Sequence, residues 1–115
     1  MKVIDQAALD VLRDLQDDED PHMLKDLIIM FLESTPERLA KMKSAISDQE
    51  SKVLILEAHT LKSSSANLGA MLMRDACLKL ETLGHTGGFD GATELLEDLE
   101  KEYQRAKAEL KLHAK

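Results

Sequence analysis

Apolar residues recur at helical spacing through almost the whole chain, which commits it to amphipathic helices that must bury one face against each other. The most demanding stripe is Met23, Leu24, Leu27, Ile28, Phe31 and Leu32, taken up again by Leu39, Met42 and Ile46. Between the two halves stands Thr35-Pro36, and a proline removes a backbone donor and crowds the preceding turn. Because the periodicity continues across it, one kinked helix from Pro21 to Ile46 is expected, with Asp20 as N-cap and Pro21 in the first helical position.

The other stripes are read in the same way. Asp5 is an N-cap candidate, Ile4 and Leu9 fit a hydrophobic staple, and Ala8, Leu9, Leu12 and Leu15 predict a short first helix ending in the acidic stretch Asp17 to Asp20. Ser47 with Glu50 forms a capping box, with Ser51 as a competing cap, ahead of Leu54, Ala58, Leu61, Ser65 and Leu68. Gly69 marks an end or bend. Leu72, Ala76, Leu80 and Leu83 make the next stripe, closed by Gly84 and the loop His85-Thr86-Gly87-Gly88. Asp90 then caps a long last helix whose stripe is Ala92, Leu95, Leu96, Leu99, Tyr103, Ala106 and Leu110.

Short connections between amphipathic helices predict an all-α fold, an antiparallel up-and-down four-helix bundle over about residues 20–112, with an additional N-terminal helix at about 5–16 capping one end. All 115 residues are expected to form a single domain. Composition agrees: two Phe, one Tyr and no Trp, against abundant Leu, Ala, Glu and Lys, favour helix over strand. The six methionines, among them Met23, Met30, Met42, Met71 and Met73, read as core filler.

Charge and cysteine usage remove several function classes. A net charge of −7 with no basic run argues against nucleic acid as a partner. Cys77 is the only cysteine, so an intramolecular disulfide is excluded, and no thiolate pair exists to hold zinc or an iron–sulfur cluster. His22, His85 and His113 lack metal-ligand spacing, so no metal site is expected. The N-terminus lacks a basic segment leading into an apolar stretch, and the longest apolar patch, Leu27 to Leu32, is far short of a span, so no membrane insertion and a cytoplasmic setting are expected.

The informative block runs from Ala58 to Ala70. If Leu54, Ala58, Leu61, Ser65 and Leu68 face the core, helical geometry turns His59, Lys62, Ser63 and Ala66 outward. A neutral imidazole is a competent nucleophile without a neighbouring base, and Lys62, about one turn away, could meet phosphate oxygens as charge develops on them. Ser63 and Ala66 are small enough to let another protein approach. On these features alone, a solvated histidine and serines engaged in capping are the commoner explanation.

The block resembles the signature of the histidine-containing phosphotransfer (HPt) domain family, Ala-His-x-Leu-Lys-Gly-x-Ser-x-x-Leu-Gly-Ala, at Ala58, His59, Leu61, Lys62, Ser65, Leu68, Gly69 and Ala70. Asp20-Pro21 leading to Phe31-Leu32-Glu33, Thr35-Pro36-Glu37-Arg38-Leu39, and Leu80-Glu81 ahead of a glycine-containing loop look like the same family. The resemblance implies a four-helix bundle with His59 as phosphoacceptor at Nε2 and Lys62 as the phosphate-side cation; small size puts Ser63 and Ala66 at the docking surface, and backbone freedom gives Gly69 a structural role. Ser63 departs from the pattern, replacing a glycine, which predicts reduced clearance with activity retained.

The function so implied is a reversible phosphorelay intermediate. His59 would accept a phosphoryl group from a receiver-domain aspartyl phosphate and pass it to another receiver aspartate. The partners would be receiver domains of response regulators or hybrid sensor histidine kinases, with Mg2+ held by the receiver and no cofactor on this chain, which is expected to be a monomer. No glycine-rich phosphate loop suggests autonomous kinase activity. The alternative is a helical adaptor or inhibitor that binds a kinase or receiver without accepting phosphate. A hydrolase using His59 as general base is disfavoured because the local block supplies no carboxylate to orient it.

Overall fold

The structure, a computed structural model, describes residues 3–16 and 19–114. Its helices are α1 (Gln6–Leu15), α2 (Met23–Asp48), α3 (Ser51–Asn67), α4 (Met71–Thr86) and α5 (Ala92–His113). The four long helices close a ring in which α3 packs on α2 and α4, and α5 on α4 and α2. Partners run in opposite order across the α3–α4 seam. Ile55 meets Gly84 while His59 meets Glu81, and Arg38 meets Glu57. The bundle is therefore antiparallel, as the short connections predict.

The core runs the length of the ring through Ile28, Phe31, Met42, Leu54, Leu61, Met73, Leu80, Leu99 and Leu110. Met42 and Met73 are buried filler as expected, whereas Met30 is 64% exposed. α1 lies across α2 and α3 at one end. Asp5 caps it by accepting the Ala7 amide at 3.1 Å, and Ile4 and Leu9 are buried as a staple requires. It is tied down at Gly69, whose carbonyl accepts the Asp5 amide at 2.8 Å. Gly69 has φ +79°, and a Cβ there would sit 2.6 Å from the Asp5 carbonyl oxygen, so both conformation and contact require glycine.

Several expected boundaries move. α1 closes at Leu15, and Asp17 and Asp18, expected at its end, lie outside the described residues. α2 begins at Met23 rather than Pro21, with His22 in the cap position and Asp20-Pro21 in the preceding segment. The Leu24 amide is satisfied instead by the Gln16 side-chain oxygen at 2.8 Å, across the connection from α1. Neither Ser47 nor Ser51 is a cap. Ser47 lies in the last turn of α2, which ends at Gln49 in the left-handed conformation, with the Glu50 amide donating to the Ala45 carbonyl at 2.8 Å.

Gly84 does not close α4. It sits inside the helix, where a Cβ would fall 2.7 Å from Ile55 Cγ1, and Gly87 ends the helix three residues later. The buried stripe of α4 is Met73, Ala76, Cys77, Leu80 and Gly84, so Leu72, expected inside, is 40% exposed. Gly91, not Asp90, occupies the cap position of α5. His113 closes α5 and accepts a hydrogen bond at Nδ1 from the Arg13 guanidinium at 2.8 Å.

α2 continues through Pro36, as the unbroken periodicity predicts. The missing proline N–H deprives the Leu32 carbonyl of its helical donor. The Tyr103 hydroxyl of α5 donates to that carbonyl at 3.0 Å, and Thr35 donates its hydroxyl to the Phe31 carbonyl at 2.6 Å. A sequence defect in one helix is thus satisfied by the neighbouring helix.

Candidate functional site

α3 buries Leu54, Ala58, Leu61 and Ser65, together with Leu68 just beyond its end. The 100° step per residue then places His59 outward, with its side chain 58% exposed. Ser63 is exposed, and Lys62 and Ala66 are half-buried on the same side of the helix. The sequence-predicted site residues therefore share one face, while Gly69 stands apart at the α1 contact.

The serines of α3 do not cap. Thr60, Ser63, Ser64 and Ser65 donate their hydroxyls to the carbonyls four residues earlier, at 2.9, 3.3, 3.1 and 2.7 Å. This back-bonding satisfies a hydroxyl inside a helix without a cap. For Ser63 the acceptor is the carbonyl of His59 itself, which folds the hydroxyl onto the backbone rather than toward the imidazole.

Glu81 of α4 completes the site. The His59 Nδ1–H donates to Glu81 Oε2 at 2.8 Å, and the Lys62 ammonium donates to Oε1 of the same carboxylate at 2.6 Å. Glu81 keeps only 13% of its side chain exposed and is placed against α3 by the close approach at Gly84. The Lys62 hydrogen bond, followed by that of His59, holds the Glu81 carboxyl below its ordinary range against the opposing effect of burial. The carboxylate is thus an acceptor only. Nδ1 must carry the proton, and the lone pair of a neutral His59 ring lies on Nε2, pointing away from Glu81.

Sequence reasoning gave Glu81 no role, and the absence of a local carboxylate was held against base catalysis. The carboxylate exists, but it arrives from another helix, 22 residues along the chain. Helix packing therefore overturns that argument. The hydroxyls of Thr60 and Ser63 beside His59 are spent on the helix backbone and offer a hydrolase no oxyanion donor.

Below the site lies Cys77, fully buried, its thiol pushed up to about 12 by burial first, then by the Glu81 charge, with Lys62 opposing. It is an inert core residue. Among the described residues no cluster of three His, Cys, Asp or Glu side chains is placed to hold a metal ion, and no helix is long and apolar enough to cross a membrane. On the α2 side of α3 a mainly apolar groove of about 360 Å³ is lined by Leu12, Leu27, Met30, Phe31 and Leu68, with Arg38 among its polar lining.

Residues 26–109 match the family described as the Hpt domain. Multistep phosphorelay regulator 1 of Schizosaccharomyces pombe is 29% identical over 94 residues, covering 82% of this chain and 32% of that protein. The chain thus spans about a third of this relative's length. Pseudo histidine-containing phosphotransfer protein 6 of Arabidopsis thaliana is 27% identical over 108 residues, 91% of this chain and 70% of that one. The crystal structure of histidine-containing phosphotransfer protein B from Pseudomonas aeruginosa PAO1 superposes with a TM-score of 0.87 at 27% identity, covering 97% of this chain and 94% of that one.

Proposed function

This chain belongs to the Hpt-domain family, and from that premise we propose a phosphorelay intermediate in which His59 accepts a phosphoryl group from a receiver-domain aspartyl phosphate and yields it to another receiver aspartate. The observation that carries the reading is the pairing of an exposed imidazole with a half-buried carboxylate that fixes its tautomer. Family resemblance alone does not separate a relay from an adaptor, since one relative is named a pseudo phosphotransfer protein. A ring held with Nε2 outward, one helical turn from a cation, favours the relay.

In the proposed step the Nε2 lone pair attacks phosphorus in line with the bond to the donor aspartate. That P–O bond breaks, and its electron pair stays on the carboxylate. Lys62 meets the negative charge spread over the phosphoryl oxygens. The receiver contributes its own aspartate and Mg2+, and this chain contributes a nucleophile, a cation and a shape.

The receiver docks over His59, with Ser63 and Ala66 leaving room for it and the apolar groove beside α3 taking part of its surface. Leu56, less than a turn from His59 and 62% exposed, adds apolar area on the same side. The chain acts in the cytoplasm, where receivers act, and as a monomer.

The test is transfer of labelled phosphate from phosphorylated receiver domains to the wild type and to His59→Gln, both shown folded. Acid-labile label on the wild type that vanishes in the variant is the expected result. Receivers that bind tightly while the wild type stays unlabelled would replace the relay with the adaptor.

A further inference from the structure

Glu81 bonds both His59 and Lys62, and its role extends past selecting a tautomer in the resting protein. We infer that the Glu81 carboxylate keeps Nδ1 protonated after His59 has been phosphorylated, so that the ring leaves phosphorus as neutral imidazole. Glu81 is then a positioning residue for donation as well as for acceptance. The inference rests on His59 being the phosphoacceptor.

Attack by Nε2 turns the ring into an imidazolium whose remaining proton sits on Nδ1, 2.8 Å from a carboxylate. In the donating step an acceptor carboxylate attacks phosphorus, the Nε2–P bond breaks and its electron pair returns to Nε2. With the proton still on Nδ1 the departing group is neutral imidazole, and no proton is exchanged at any stage. Without that proton the departing group would be an imidazolide anion, a far worse leaving group.

The surroundings favour retention of the proton. The carboxylate lies 2.8 Å from Nδ1, so its attraction for the imidazolium acts through a direct charge-assisted hydrogen bond. Among the described residues the charged groups bonded at the ring are Glu81 from α4 and, through that carboxylate, Lys62 from α3; the neutral thiol of Cys77 lies beneath. His85, one turn beyond Glu81, is in the last turn of α4. The ion pair that α2 makes with α3, Arg38 with Glu57, engages its own partner. Phosphoryl oxygens can recruit Lys62 only by sharing it with Glu81, since the ammonium lies 2.6 Å from that carboxylate in the resting state.

A purely structural role for Glu81 would slow donation equally at every pH, and a proton-holding role would not. Wild type, Glu81→Gln and Glu81→Ala are loaded on His59 with phosphoramidate, freed of the donor, and mixed with one receiver domain from about pH 6 to about pH 9. Dividing each variant's rate by the wild-type rate cancels the receiver's own pH dependence. The ratio is expected to fall by roughly tenfold or more toward alkaline pH, because each pH unit past a titration costs a factor of ten in the protonated form.

Glu81→Gln retains shape without charge, and Glu81→Ala removes both. Ring nitrogen-15 spectra of the phosphorylated wild type, which need no variant, should show Nδ1–H persisting at the alkaline end. A flat ratio, or loss of that proton in the wild type, overturns the inference while His59 labelling still supports the relay. Failure of the wild type to take label from phosphoramidate and from every receiver removes the relay and this inference with it.

Discussion

Two carboxylates stand at the two seams of α3, one its own and one from α4, and their difference shows what makes a charge cluster a site. On the α2 side Glu57, with 8% of its side chain exposed, accepts from Arg38 at 2.8 Å. On the α4 side Glu81, with 13% exposed, accepts from Lys62 at 2.6 Å. Burial, partner type and distance are nearly the same. The Glu81 carboxylate, however, has a second oxygen bonded to an imidazole that is 58% exposed. The Arg38–Glu57 pair joins two helices, whereas the Lys62–Glu81 pair also aims a nucleophile.

The sharpest break of that comparison is His59→Gln. It should abolish acid-labile labelling and leave the thermal midpoint unchanged, because the side chain is mostly in water. Lys62→Ala should slow transfer on the order of 10²-fold, in line with loss of one donor to developing transition-state charge, as read by single-turnover labelling. On the other flank, Arg38→Ala strands the Glu57 carboxylate. Denaturant titration should show a loss of about 1–3 kcal/mol, reduced from the fully buried case because Arg38 is about one-third exposed. If Arg38→Ala abolished phosphoramidate labelling of His59 in folded protein, the contrast between the flanks would collapse.

The sequence disclosed the helical stripes and the outward face of α3, because both follow from periodicity along one segment. Leu54, Ala58, Leu61 and Ser65 inside force His59 outside, whatever the rest of the chain does. Glu81 was invisible by the same logic, since its contact depends on how α4 packs on α3. The intrahelical Gly84, read as a stop, is what permits that approach. Asp5 caps α1 as its local pattern announces, but the ends of α2 do not follow from theirs. The Leu24 amide is satisfied by Gln16 across a connection, and Gln49 closes α2 without glycine, neither of which a local capping pattern announces.

Smaller effects sharpen the picture. Tyr103→Phe should cost about 1 kcal/mol in chemical denaturation by removing the donor to the Leu32 carbonyl, with no change in the label carried by His59. Acid should remove the Glu81 contribution. The Glu81 carboxyl titrates below its ordinary value of 4.5, so it contributes stability above that value that is lost as pH falls through the lowered one. Wild type and Glu81→Gln should therefore differ in stability near neutrality and converge in acid, which thermal melts across that range would read. Curves that stay parallel into acid would mean the carboxylate is not favourably held.

The proline gap in α2 also acts as a gauge of assembly. A helix with a complete hydrogen-bond ladder tolerates a neighbour slid along its axis, provided apolar surfaces still meet. Here one carbonyl awaits one hydroxyl, and sliding α5 by a single residue displaces that hydroxyl by about 1.5 Å. Pro36 and Tyr103 together thus mark the correct register of the two longest helices, and a misaligned bundle carries a penalty that apolar contact alone would not impose.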